Sequence, residues 1–166
     1  TQDDWQIGTP SGVTVYDPAG AHSGTKAWAN DLGLTGWDGL YKNLAQSWLE
    51  APVVDCTGAR NVRLKFWRYL TVERSTYDQA AVFVNGTLVW RNAAGADHRD
   101  TGWTQVTLDI SAYADGQREV RVRFELQSDD SVTFGGWAID DLALVGDASD
   151  VTPPTVLKSY PMNQQT

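Results

Sequence analysis

Two adjacent acids interrupt the last apolar segment of the sequence. Asp140 and Asp141 follow Trp137 and Ile139 in the string W-A-I-D-D-L at positions 137–142. Because side chains alternate between the faces of a strand, Asp141 is predicted to point inward with Trp137 and Ile139. A buried carboxylate without a partner is strongly unfavourable, and Ca²⁺, which takes roughly 6–8 oxygen ligands, would resolve this. The pattern predicts a calcium ligand. The alternative is a frayed strand end, with one acid in solvent and one bonded to Arg or to a backbone N–H.

A second pair of acids brackets a turn. Glu73 and Asp78 stand at the two ends of the string E-R-S-T-Y-D, directly after a strongly apolar segment. Two carboxylates on one turn can also ligate a hard cation. The alternative is an ordinary solvated loop in which Asp78 caps the turn.

Groups suited to catalysis are few. His22 and His98 are far apart and show no metal-ligand spacing, and no G-x-S-x-G string supports a nucleophile. Both histidines are predicted to lie in surface turns, and Cys56 is predicted to be a small buried hydrophobe. The sequence does not exclude a pair of catalytic carboxylates of the glycosidase type, since any acidic domain can contain such a pair. The inventory favours a protein that is not an enzyme.

The eight tryptophans form two groups. Trp28, Trp67 and Trp137 lie in strand patterns and are predicted to belong to the core. The others lie near turns or strand ends, where indole rings can pack at the rim of a sandwich or stack on sugar rings. The candidates for sugar stacking are Trp37, Trp90 and Trp103.

Length and charge limit the classes of partner. A chain of 166 residues is sufficient for a single domain. It carries 13 Lys and Arg against 21 Asp and Glu, a net charge of −8. This balance argues against nucleic acid and anionic membranes as partners, because phosphate binding needs a basic face. No apolar run approaches the roughly 18 residues of a membrane span, and a single cysteine excludes an internal disulfide framework.

Strand patterns dominate the chain. Apolar and polar residues alternate strictly from Glu119 to Leu126, and Asn85-Gly86 between two apolar runs predicts a type I′ hairpin. The segment from Arg63 to Thr71 has large residues on both faces, which predicts a central strand covered on both sides. The only helix candidate is the weak segment from Tyr41 to Leu49. The remaining predicted strands are 12–16, 26–32, 47–54, 80–84, 87–90, 104–110 and 136–145.

Eight or nine short strands joined by Gly, Asp and Asn turns predict an all-β fold. We expect a two-sheet antiparallel β-sandwich of the jelly-roll type over residues 1–147. The segment 148–166 changes character, since polar residues lead into the stiff string T-P-P-T. It is predicted to be a linker that enters a following domain.

Several strings, taken in order, resemble a known family. They are W-Q-I-G-T-P at 5–10, A-H-S-G-T-K-A-W-A at 21–29, L-E-A-P-V-V-D at 49–55, L-K-F-W at 64–67, Glu73 with Tyr77-Asp78, and G-W-A-I-D-D at 136–141. Together they resemble the MAM-like jelly-roll domains of secreted bacterial multidomain proteins, in particular the accessory domain of immune-inhibitor-A-type metalloproteases. The tail resembles the opening strand of bacterial Ig-like domains.

The resemblance implies a non-catalytic module that contains structural calcium. Carried over to this sequence, Asp141 and either Asp3 or Asp4 would be side-chain ligands. Asp140 is the neighbouring acid, and carbonyl oxygens near Ser23 and Lys26 would complete the site. The Glu73 and Asp78 pair resembles the E-x-x-Y-D string of these domains, from which it departs by one extra residue.

The expected function is that of a calcium-stabilised extracellular accessory or interaction module within a larger secreted bacterial protein, a protease or an adhesin. Its partners would be neighbouring domains of the same chain and a protein or polysaccharide substrate. The alternative is a carbohydrate-binding module of a secreted enzyme.

Overall fold

The computed structural model describes residues 4–33 and 37–148. Within them the chain forms two antiparallel sheets and one short helix, which confirms the predicted all-β sandwich. The strands are β1 (Gln6–Gly8), β2 (Ala27–Ala29), β3 (Gln46–Glu50), β4 (Ala59–Val72), β5 (Gln79–Val84), β6 (Thr87–Arg91), β7 (His98–Arg99), β8 (Thr104–Asp109), β9 (Val122–Gln127) and β10 (Gly136–Ala148); the helix is α1 (Ser111–Ala114). No helix in these two ranges is long and apolar enough to cross a membrane.

The two sheets differ in size. The larger has six strands in the order β1-β2-β10-β4, with β7 and β8 both pairing along the far edge of β4. The smaller has the order β3-β9-β5-β6. Strand β4 is therefore central in the larger sheet, as its sequence predicts.

The core fills the space between the sheets. Leu64, Phe66 and Leu70 of β4 face Phe124 and its neighbours on β9, and all of them are almost fully buried. The alternation read from the sequence of β9 is confirmed. Burying side chains of this size contributes about 1.5–3 kcal/mol each, which makes this layer the main source of stability.

The outer face of β4 is covered as well. The ring of His22 stacks on Trp67 with centroids 3.6 Å apart, and Trp103 packs edge-on against Tyr69. The loop that contains His22 therefore shields this face, which explains the large residues on both sides of the strand.

The hairpin between β5 and β6 has the predicted turn. Asn85 and Gly86 both have positive φ, +49° and +79°, as a type I′ turn requires. Other local predictions were wrong. Residues 12–16 form no strand. The segment 41–49 contains no helix, and its last four residues belong to β3. The elements β1, β7 and α1 were not predicted. Each of the three missed elements has only two to four residues, too few to show periodicity.

Two further expectations concern single residues and the chain end. Cys56 is buried, as predicted, and burial raises the pKa of its thiol. Strand β10 extends to Ala148, and the predicted linker beyond it lies outside the described residues.

Candidate functional site: a buried acid cluster

Three acids meet where strands of both sheets end. Glu73 directly follows β4 of the larger sheet, Asp78 directly precedes β5 of the smaller sheet, and Asp129 lies two residues after β9. Strands β5 and β9 are neighbours in which Gln79 pairs with Gln127, so Asp78 and Asp129 are brought to the same end. One oxygen of each carboxylate lies within 4.8 Å of the others. We call these three residues the acid cluster.

Two of these carboxylates are removed from solvent. Asp78 is fully buried and Glu73 is 8% exposed. Asp78 Oδ2 accepts a 2.5 Å hydrogen bond from the hydroxyl of Tyr41, and its Oδ1 accepts one of 2.8 Å from the Asp129 amide. Glu73 Oε2 is buried without any hydrogen-bond partner. A buried carboxylate with an unpartnered oxygen, close to two further carboxylates, fits a hard cation, because such an ion is bound by oxygen ligands.

The backbone around the cluster is held by one buried amide. Asn92 Nδ2 donates to the carbonyl oxygens of Glu73 at 2.7 Å and of Asp78 at 3.1 Å. Its Oδ1 accepts from the Ala80 amide at 3.0 Å. Asn92 thus fixes the backbone at both ends of the turn that the predicted acid pair brackets.

Electrostatics in the cluster favour a positive partner. Burial raises the pKa of Glu73, and the nearby Asp78 and Asp129 add to the effect. Burial likewise raises the pKa of Asp78. Within the described residues, no ion pair joins a basic side chain to any of the three acids. Like charges held together in a poorly hydrated site are unfavourable unless they are protonated or neutralised by a cation.

The other predicted site has a different structure. The ladder between β10 and β4 shifts register between Asp140 and Ala143, and Asp141 has a φ of +49°. This bulge breaks the alternation, so the side chain of Asp141 is 40% exposed instead of pointing inward. The prediction that Asp141 is a buried carboxylate was wrong.

Both acids of the bulge are bonded to the loop that precedes β2. Asp141 is 2.8 Å from His22 Nδ1 and accepts a 2.6 Å bond from the Ser23 hydroxyl. Asp140 accepts from the Ser23 amide at 3.0 Å. Ser23 is therefore near these acids as expected, but it offers them donors and not a carbonyl oxygen. Lys26 immediately precedes β2 and lines a groove beside the same acids.

Asp4 does not join this group. Gln6 pairs with Ala29, and Ala29 pairs with Ala138, so Asp4 lies two residues before that row while Asp141 lies three residues after it. At about 3.3 Å per residue, these five residues separate Asp4 and Asp141 by about 16 Å along the strand direction. Asp4 is buried and pairs with Lys42 Nζ at 3.1 Å. An ion shared by Asp4 and Asp141, as the sequence suggested, is incompatible with this register; Asp3 lies outside the described residues.

The histidines are not arranged for nucleophilic catalysis. The Ser23 hydroxyl bonds to Asp141 and not to the His22 ring, so these three side chains do not form a proton relay from Ser to His to Asp. His98 Nε2 lies 3.0 Å from Asp100. The side chains of His22 and His98 are 27% and 26% exposed. His22 lies in a loop, as predicted, whereas His98 lies in β7, which corrects its predicted place in a turn.

The three tryptophans proposed for sugar stacking have different surroundings. Trp90 packs edge-on against Trp137 and lies under Arg68. Trp103 donates from Nε1 to the Gly20 carbonyl and packs on Tyr69. Trp37 lines an open pocket of about 580 Å³.

The sequence prediction missed three residues of the site: Tyr41, Asn92 and Asp129. A signal existed for Asp129, because the string S-D-D directly follows the alternating segment of β9. Tyr41 and Asn92 gave no signal, since each acts through contacts between residues far apart in sequence.

The fold and the acid cluster define a two-sheet β-sandwich with a candidate cation site between the sheets, and comparison with known proteins gives it a context. The chain is 33% identical over 146 residues to Bacillopeptidase F of Bacillus subtilis strain 168. The match covers 87% of this chain and 9% of that protein, so the chain is similar to a small region of a much larger peptidase. No family model matches the chain.

Solved structures show partial likeness. TmCBM61, determined in complex with β-1,4-galactotriose, is 13% identical, with a TM-score of 0.49 over 87% of this chain and 83% of that one. A family 35 carbohydrate-binding module from an environmental isolate is 16% identical, with a TM-score of 0.40 over 65% of this chain and 72% of that one. Likeness at this level assigns no function to the chain.

Proposed function

We propose that the chain is a non-catalytic, calcium-stabilised accessory module of a larger secreted bacterial protein. The single observation on which this depends is the buried, unpartnered Oε2 of Glu73, a residue whose carboxylate lies within 4.8 Å of those of Asp78 and Asp129. Calcium bound there would be held by carboxylate oxygens of both sheets. Its chemistry is structural: it would neutralise the cluster and connect the end of β4 to β5 and to the segment after β9.

Two further observations support the accessory role. The relative in Bacillus subtilis is a peptidase of which this chain covers only 9%, which fits a module beside a separate catalytic region. Extracellular modules commonly bind calcium with dissociation constants of about 10⁻⁴–10⁻³ M. Because fewer charged ligands give weaker binding, a site with three carboxylates has an affinity suited to a secreted protein. The MAM-like resemblance of the sequence is in accord with the same role.

Thermal unfolding of the 166-residue chain in calcium and in EDTA tests the proposal. Because an ion that binds only the folded state stabilises it by about 2.7 kcal/mol at a hundredfold excess over its Kd, we expect calcium to raise the Tm by about 5–10 °C. Glu73→Gln should abolish this rise. Asp130→Asn, a change of an exposed acid in the same loop as Asp129, should retain it. A wild-type melting curve that is the same in calcium and in EDTA would refute the proposal.

Carbohydrate binding is the second candidate function. The observation that favours it is the open pocket beside Trp37, since a pocket with an aromatic wall and several polar groups has the composition of a small-ligand site.

A further inference from the structure

An open pocket lies beside the acid cluster. It has a volume of about 580 Å³, and the residues that line it include Asp31, Trp37, Asp38, Lys42, Asn43 and Thr133. We call it the Trp37 pocket. Trp37 is half-buried, whereas Asp38, Lys42 and Asn43 are exposed. An indole wall surrounded by carboxylate, ammonium, amide and hydroxyl groups offers both a stacking surface and hydrogen bonds.

One wall of the pocket is fixed in place. Lys42 Nζ lies 3.1 Å from Asp4 Oδ1 and 4.8 Å from the centroid of the Trp37 ring. The ammonium group therefore links the face of the indole to the buried Asp4. Pre-orientation of an aromatic side chain reduces the entropy lost when a ligand stacks on it.

The charge of the pocket limits the ligand. Asp31 and Asp38 contribute two carboxylates, while the charge of Lys42 is offset by Asp4. The chain as a whole has a net charge of −8. An anionic ligand would be repelled, whereas the hydroxyl groups of a neutral sugar can donate hydrogen bonds to carboxylates.

The pocket and the acid cluster share a segment of chain. The Tyr41 hydroxyl binds Asp78, the Leu44 amide donates to the Asp129 carbonyl at 2.6 Å, and the Ser128 hydroxyl donates to the Lys42 carbonyl at 2.6 Å. Residues 41–44, which include three that line the pocket, are thus bonded directly to two members of the acid cluster. An ion bound at the cluster would therefore be connected to this wall through three hydrogen bonds.

We infer that the Trp37 pocket binds a neutral saccharide, with the sugar ring against Trp37, and that calcium at the acid cluster holds the 41–44 wall in its binding conformation. The calcium half of this inference rests on the proposed function. The saccharide half rests on the pocket alone.

Affinity electrophoresis of the 166-residue chain tests both halves. The gels contain soluble neutral glucan, galactan, xylan or mannan, or anionic polygalacturonate, each with calcium and with EDTA. We expect at least one neutral polysaccharide to retard the protein and polygalacturonate to have no effect. Trp37→Ala should weaken binding about tenfold, the loss expected when a central aromatic contact is removed. Trp48 is also half-buried but lies on β3, and Trp48→Ala should leave the binding of the polysaccharide unchanged.

The outcomes separate this inference from the proposed function. Binding that weakens at least about threefold in EDTA and in Glu73→Gln supports the coupling, and binding that is equal in calcium and EDTA overturns it. No retardation by any neutral polysaccharide, preferential retardation by polygalacturonate, or full retention in Trp37→Ala overturns the saccharide site. The calcium proposal is judged independently by the melting temperature.

Discussion

Tyr41 donates a 2.5 Å hydrogen bond to Asp78 from a position 37 residues earlier in the chain. Burial raises the pKa of the Tyr41 hydroxyl, and the neighbouring carboxylate raises it further, so the phenol stays protonated and acts as a donor. The bond joins a residue that lines the Trp37 pocket to a member of the acid cluster. These two candidate sites are therefore one connected structural unit.

Removing this donor should destabilise the protein most when calcium is absent. In Tyr41→Phe, Asp78 Oδ2 loses its partner inside the sandwich, and the loss of such a bond to a buried acceptor costs about 1–3 kcal/mol. We expect the Tm in EDTA to fall by about 3–10 °C. Calcium should reduce the deficit because the ion would take over the neutralisation of Asp78.

Tyr113→Phe is the matched control for that variant. The side chain of Tyr113 is on α1 and the residue is 38% exposed, so loss of its hydroxyl should leave the Tm nearly unchanged. Equal melting temperatures for Tyr41→Phe and the wild type in EDTA would contradict the assigned role of Tyr41.

The carboxylate of Asp17 should make a contribution to stability that falls as the pH rises. Burial raises the pKa of Asp17 from an ordinary value of 3.8 to about 6, with Asp31 and Asp38 adding to the shift. Because the folded state then binds the proton of Asp17 more tightly than the unfolded chain does, the contribution of Asp17 to stability is greatest at low pH and is lost between about pH 4 and 6. Asp17→Asn keeps an acceptor for Thr14, whose hydroxyl donates to Asp17 at 2.6 Å, but does not titrate.

Chemical denaturation across pH, in EDTA, measures this effect. We expect the wild type to lose stability relative to Asp17→Asn as the pH rises from 4 to 6. Asp109→Asn is a control of opposite sign. Hydrogen bonds from Ser111 lower the pKa of Asp109, so its contribution is present at higher pH and is lost only as the pH falls below about 4. Parallel curves for the wild type and Asp17→Asn would show that Asp17 does not titrate in this range.

The sequence predicted the sandwich because its strands alternate. Phe124 and its neighbours on β9 follow a strict period of two, and Asn85-Gly86 has a turn chemistry that few other structures need. The acid cluster was predicted only in part. Glu73 and Asp78 are five residues apart on one turn, whereas Asp129 joins them solely because β9 lies beside β5. Strand order is a property of the whole fold and leaves no local pattern.

The failure at Asp141 has a different cause. Alternation predicts direction only while the ladder is regular, and here a bulge with a positive φ reverses the side chain. Asp is one of the few residues that tolerate this conformation, so the acid is explained by backbone geometry and by its bonds to His22 and Ser23. An isolated acidic dipeptide does not distinguish these roles from metal binding.

The variant Asp141→Asn separates the two predicted metal sites. Asn tolerates a φ of +49° and keeps one acceptor for His22 or Ser23, so we expect the Tm in EDTA to fall only by the equivalent of about 1 kcal/mol or less. If calcium binds at the acid cluster, the rise in Tm on adding calcium should equal that of the wild type. Asp141→Ala should cost about 1–2 kcal/mol more, because the left-handed backbone is strained for alanine, again without changing the calcium response. The decisive comparison is with Glu73→Gln in the same melting experiment. A calcium response that disappears in Asp141→Asn and survives in Glu73→Gln would move the ion to the β10 bulge and leave the acid cluster as a protonated, metal-free network.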